Sequence, residues 1–190
     1  KEAMRETAAL LRSDALVLSI VAGLTVAELE VAYPNHPVVR AMPNTPLAVG
    51  AGMSAYARGT HADAAVCATV EAVLGAAGRE VHESDLDAVT GLSGSGPAYA
   101  FLVLEALIEG GVAAGLKRET ASLLAAQTLL GAAQMALTAE HSAADLRAAV
   151  TSPAGTTAAG LRVLERTGVR SAFMEAVLAA TKRSQELGER

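Results

Sequence analysis

The hydrophobic period of this chain changes once, near residue 83, and the change restricts the fold to an α/β half followed by an all-helical half. Up to that point helix-like and strand-like patterns alternate. Residues 15–21 form a short apolar run that stops at Ala22-Gly23, as a buried parallel strand does. Residues 38–42 read as the next strand, halted by Pro43-Asn44-Thr45-Pro46, and residues 53–57 and 78–81 as two more. Between them lie helical patterns, one closing at Leu10-Leu11, one capped by Thr25, and one opened by Asp63 and running through Leu74.

From about Ser84 the strand patterns stop. Residues 95–116 carry Tyr99, Phe101, Leu102, Leu104, Leu107, Ile108 and Val112 on nearly every side, which predicts a buried or intersubunit helix. Further helices are expected over 119–137, 143–150, 156–166 and 171–187, the last ending in Lys182-Arg183 ahead of Gly188. No low-complexity linker separates the halves, so the expected domains are 1–83 and 84–190.

Composition excludes several classes of function. The net charge is −5, with 6 basic against 9 acidic residues up to residue 83 and 9 against 11 beyond it, so neither half offers nucleic acid or an anionic membrane a basic patch. The apolar runs are interrupted by Glu105, Glu109, Ser122, Gln127 and Gln134, so no membrane-spanning stretch is expected. There is no signal-peptide pattern. The lone Cys67 lies in an apolar-periodic stretch and reads as a small core residue, in keeping with a reducing cytoplasm. Four scattered histidines lack partners at ligand spacing, and no metal site is expected. With no Trp, 2 Phe and 3 Tyr against abundant Ala and Gly, close helix packing is expected rather than an aromatic pocket.

Three glycine-bearing motifs carry chemical meaning. Thr151-Ser152-Pro153-Ala154-Gly155-Thr156-Thr157 sets hydroxyls and a flexible turn at the expected start of a helix. Unpaired N–H groups and the positive end of the helix dipole favour an anion there, and Gly155 allows close backbone approach; an ordinary capped loop is the plainer alternative. Gly50 to Ala55 formally matches the dinucleotide fingerprint G-x-G-x-x-A, but it follows a proline-bounded turn and leads into a strand, so it is rejected as a phosphate loop. Gly91-Leu92-Ser93-Gly94-Ser95-Gly96-Pro97-Ala98-Tyr99 sits at the junction of the halves, with Pro at an expected first helical position. It reads either as a hinge with a helix cap or as a loop lining a ligand.

Taken in order, Ala41-Met42-Pro43-Asn44-Thr45-Pro46, the run from Asp87 to Tyr99, Ala126-Gln127-Thr128 with Gly131-Ala132-Ala133, and the run from Val150 to Thr157 resemble the pyrroline-5-carboxylate reductase family over essentially the whole chain. The resemblance implies a Rossmann-like domain followed by a helical dimerisation domain, with reduction of 1-pyrroline-5-carboxylate to L-proline by NADPH or NADH. It further implies a homodimer through the helical half, with rings of dimers, such as a decamer, as the larger assembly. On this chain it assigns the substrate carboxylate to Ser152, Gly155, Thr156 and Thr157, and proton transfer at the ring nitrogen to Thr157. Glu83 is assigned either to that nitrogen or to a solvated strand end. The cofactor side falls to Val21, Ala22 and Gly23 after one strand and to Asn44, Thr45 and Pro46 after the next.

Two departures accompany the resemblance. The family's opening strand and glycine-rich phosphate loop do not occur after Lys1, so the chain is expected to be the later part of a longer protein and to bind the dinucleotide poorly alone. Where the family has paired glycines after the proline, this chain has Ala154-Gly155. Two other readings stand beside this one. The first is another two-part reductase using a lysine, for which Lys117 and Lys182 are the candidates; the second is a helical scaffold without catalysis.

Overall fold

A computed structural model describes residues 2–75 and 77–188. They form two compact units, one running to Pro97 and resuming at Glu175, the other spanning Ala98–Met174. This division differs from the expected cut at residue 83, because the last helix returns to the first unit and packs there.

The first unit is built on one sheet with strand order β1 (Val17–Ser19), β2 (Val38–Pro43), β3 (Ser54–Arg58), β4 (Gly78–Glu80). β1 and β2 are parallel, β2 and β3 antiparallel, β3 and β4 parallel. The sheet is therefore mixed. The segment between β2 and β3 is too short to carry a crossover helix and folds instead into a 3-10 turn, Thr45–Val49, ending at Gly50 with φ 72°. That places the rejected fingerprint between a turn and a strand.

Alternation along the strands fills both faces. Val38, Ala55 and Ala57 pack on one side with Val26 and Leu29 of helix α2 (Val26–Ala32), with its C-cap Tyr33 and with Leu86; α1 (Glu2–Ala8) borders the same cluster through Met4 and Ala8. Val39, Ala41 and Tyr56 pack on the other with Cys67, Val70 and Leu74 of α3 (Ala64–Leu74). Val38, Val39 and Val70 are fully buried, each worth roughly 1.5–3 kcal/mol relative to exposure. The expected caps are present: Thr25 forms a capping box with Glu28, and Asp63 accepts the Val66 N–H at 2.9 Å.

Beyond a 3-10 turn at Glu83–Asp85 the chain enters α4 (Leu86–Val89), a π-helical turn at Thr90–Gly94, and α5 (Gly96–Ala113). The glycine-rich junction expected as a hinge or loop is thus continuous helix with one wide turn, closed by the Ser95 N–H donating to the Thr90 carbonyl at 2.8 Å. Gly91 is buried because α9 (Val169–Gly188) crosses it. A Cβ there would lie 2.7 Å from the Val177 carbonyl oxygen and 2.9 Å from the Thr181 nitrogen. Ser184 then donates to Asp87 at 2.6 Å, tying the end of α9 to α4.

The second unit is helical. α5 and α6 (Arg118–Thr138) turn at Gly115, φ 102°, and are bridged by Arg118 and Glu109 through two hydrogen bonds of 2.8 and 3.2 Å. That pairing holds the Glu109 carboxyl below the usual carboxylate range. Gly111 lies against Ala121, giving the close small-residue packing expected from composition. α7 (Ala143–Ala149) is opened by a Ser142–Asp145 capping box, and α8 (Thr156–Arg166) begins where expected.

One expectation is corrected. Glu83–Ala113 and Arg118–Thr138 are long and apolar enough to cross a membrane by length and composition, with mean hydropathies of 1.3 and 1.2. Their isolated charges do not offset the density of Ala, Leu, Val and Ile around them.

Candidate functional site

Because β1 and β2 run parallel in the register Val17↔Val38, the segments following them emerge at the same end of the sheet. Val21 and Ala22 follow β1, and Asn44, Thr45 and Pro46 follow β2, so two of the predicted clusters share one edge. Ile20 and Val21 stand 59% and 58% exposed there, and Thr45 is exposed. Apolar side chains left in solvent at the C-terminal ends of parallel strands form a shelf suited to a flat ring.

Gly23 is placed differently. Its φ of 77° demands glycine, and a Cβ would meet the Leu187 carbonyl oxygen and the Gly188 nitrogen at 3.0 Å. The residue seats the end of α9 beneath the β1 turn. Asn44 is likewise committed to protein: its Oδ1 accepts the Met53 N–H at 2.9 Å and its Nδ2 donates to the Ser93 carbonyl at 3.2 Å. Asn44 and Ser93 each lie in a sequence motif, but local pattern cannot pair residues so far apart.

Glu83 is the residue whose placement departs most from expectation. Its Oε1 accepts the Val26 N–H at 2.7 Å, at the start of α2, and the Arg40 guanidinium at 3.2 Å. Arg40 is only 6% exposed. A carboxylate at a helix start, paired with a buried cation from β2, is explained by the scaffold alone. The lone cation inside the apolar run 38–42 was the sequence signal for that pairing.

The remaining candidates lie in the second unit. After α7, Thr151 donates from its hydroxyl to the Arg147 carbonyl at 2.6 Å, and the Gly155 N–H closes a turn on the Ser152 carbonyl at 3.1 Å. Ala154 occupies the turn with φ 57°. The Ser152 hydroxyl lies directly against Gly155, where any Cβ would displace it. Gly155 is the N-cap of α8, and no side chain caps that end. Thr156 and Thr157 are exposed in its first turn. Ser152, Gly155, Thr156 and Thr157 therefore form one uncapped helix start, an arrangement able to receive an anion.

An α/β unit offering the ends of adjacent parallel strands, followed by a helical unit with an open helix start, is the architecture of two-part dinucleotide-dependent oxidoreductases. Residues 83–187 match the family described as pyrroline-5-carboxylate reductase dimerisation. A pyrroline-5-carboxylate reductase of Synechocystis is 50% identical, over 92% of this chain and 66% of its own length; that of Arabidopsis thaliana is 46% identical, over 100% and 69%. Among solved structures, the Plasmodium falciparum pyrroline carboxylate reductase with NADP bound is 34% identical and superposes with a TM-score of 0.89, over 98% of this chain and 76% of that one. The Coxiella burnetii enzyme is 40% identical with a TM-score of 0.88, over 98% and 71%. The chain belongs to the pyrroline-5-carboxylate reductase family. It spans about two thirds of the length of these curated relatives, and its helical part matches a dimerisation domain.

Proposed function

We propose that the protein reduces 1-pyrroline-5-carboxylate to L-proline, with NADPH or NADH as hydride donor. The observation that carries this reading is the open start of α8, where Ser152 and Gly155 shape a turn for a carboxylate in a chain of this family. The N–H groups of Gly155, Thr156 and Thr157 and the Ser152 hydroxyl hold that carboxylate, and Thr157 hydrogen-bonds the ring nitrogen and assists its protonation. A protonated imine is far more electrophilic than a neutral one, so the chain's task is to hold the proton and orient the ring.

The nicotinamide supplies the hydride when bound. Val21, Ala22, Thr45 and Pro46 are the residues that would line its ring, an assignment supported by the exposed shelf at the ends of β1 and β2. Glu83 has no part in this reading, since the scaffold accounts for it. The exposed apolar residues of α5 and α6 belong to a homodimer interface, and a decamer built from such dimers is the larger expectation. A buried, unpaired Cys67 is in keeping with a cytoplasmic location.

The test is nicotinamide absorbance with the full-length protein, NADPH or NADH, and pyrroline-5-carboxylate. Oxidation of the nucleotide is expected, and Thr157→Ala should slow it by about tenfold or more. A folded protein inert with both nucleotides would overturn the reading; an unchanged Thr157→Ala rate would remove that residue from it.

A further inference from the structure

Asn44 falls among the residues expected to meet the nucleotide, yet both ends of its side-chain amide are held by protein. Oδ1 accepts the Met53 N–H at 2.9 Å, while Nδ2 donates to the Ser93 carbonyl at 3.2 Å and lies 3.4 Å from the Ser93 hydroxyl. Its main chain is engaged as well. The Asn44 N–H donates to the Met53 carbonyl and the Asn44 carbonyl accepts the Leu47 N–H, both at 3.1 Å. Two separate segments therefore converge on one side chain: the start of β3 and the π-helical turn.

The π turn has its own reason to need holding. A π turn leaves backbone groups out of the ordinary i to i−4 ladder, and such turns are frequent at functional positions. This one, closed between Ser95 and Thr90, presents the Ser93 carbonyl toward the end of β2, where a Cβ on Gly94 would lie 3.5 Å from the Met42 sulfur. An amide suits that task because it accepts at one atom and donates from another, whereas a carboxylate has no donor and a hydroxyl must do both from a single oxygen.

We propose that Asn44 is a positioning residue rather than a cofactor ligand, pinning the turn that carries Thr45 and Pro46 onto the π-helical turn at Ser93. The inference rests on the reading that this end of the sheet receives the nicotinamide. Its consequence is that Asn44 governs how well the hydride donor is oriented and not how tightly the nucleotide binds. Misplacement of reacting groups by about 1 Å costs on the order of a hundredfold in rate.

Asn44→Asp is the discriminating variant: it retains the acceptor for Met53 and sets an oxygen against the Ser93 carbonyl. In the full-length protein kcat should fall by roughly ten- to a hundredfold while KM for the nucleotide stays within about twofold. Without nucleotide, amide exchange at Ser95, in the π-helical turn that is released, should quicken while exchange in α3 is unchanged. Should Asn44→Asp fail to fold, Asn44→Ala leaves a gap instead of a repulsion and is read by the same quantities. A raised KM with kcat preserved would overturn the proposal in favour of direct contact. Unchanged exchange and unchanged kcat in an active protein would overturn it outright. A wild-type protein inert toward pyrroline-5-carboxylate would bring down the functional reading and this inference together.

Discussion

Ala154 is the one residue other than glycine with a positive φ among those described, at 57°. The left-handed region costs an alanine about 1–2 kcal/mol. A glycine would remove that cost and lose about 0.4–1 kcal/mol of it again through the freer unfolded chain. Ala154→Gly is therefore expected to stabilise the protein by roughly 0.5–1 kcal/mol, read as a higher urea midpoint at unchanged slope. The side chain is exposed, so no packing is forfeited; a lower midpoint would contradict the account. The sequence showed the peculiarity of this position, a single glycine where the family resemblance offers two, but not the angle. Gly23 and Glu83 show the opposite case. Their neighbours, the end of α9 and the buried Arg40, are remote in sequence; the lone cation in the run 38–42 signals that a counter-charge is needed, but local pattern does not say which residue supplies it.

At the level of elements, starts were more legible than junctions. Thr25, Asp63 and the run before Thr156 each announced a helix, since a cap works through bonds within a few residues. The Gly91 to Gly96 segment did not announce itself as helix, because its glycines follow tertiary demands rather than turn chemistry. Gly91 is small so that α9 can cross, and Gly91→Ala should cost about 1–3 kcal/mol by overpacking against Val177 and Thr181. Chemical denaturation measures the loss, and full stability would mean that α9 shifts freely. A second prediction concerns α7. Bonds from the Ser142 hydroxyl and N–H hold the Asp145 carboxyl below its ordinary range. The contribution to folding is thus present above the usual aspartate pKa and is lost as pH falls through the depressed value. Exchange of the Asp145 amide, which donates to Ser142 at 3.2 Å, should quicken on acidification while the interior of α6 does not follow. Indifference of that amide to acid would refute it.

For the whole molecule, the informative quantity is apolar surface left in water. On α6, Leu123, Leu130 and Leu137 recur every seven residues and are 70%, 50% and 87% exposed, while Phe101 and Leu102 stand out on α5. A seven-residue recurrence lays side chains along one seam of a helix, the pattern by which helices pair. Ser122, Gln127 and Gln134 lie on the same helix, so α6 is not apolar on every side as a lipid-covered helix would be. On the reading proposed above, a second copy of the chain covers the two stretches long enough to span a membrane, and the residues that carry them match a dimerisation family. A charge placed in the seam would have to be desolvated opposite its own symmetry mate. Leu130→Glu is accordingly expected to shift the protein from dimer to monomer in sedimentation velocity at micromolar concentration, with helix content retained by circular dichroism. Activity should fall with the loss of dimer if the neighbouring subunit helps complete the site, and persist if each chain is sufficient. A variant that remains dimeric would show that the seam is not the interface and would direct attention to Phe101 and Leu102 on α5.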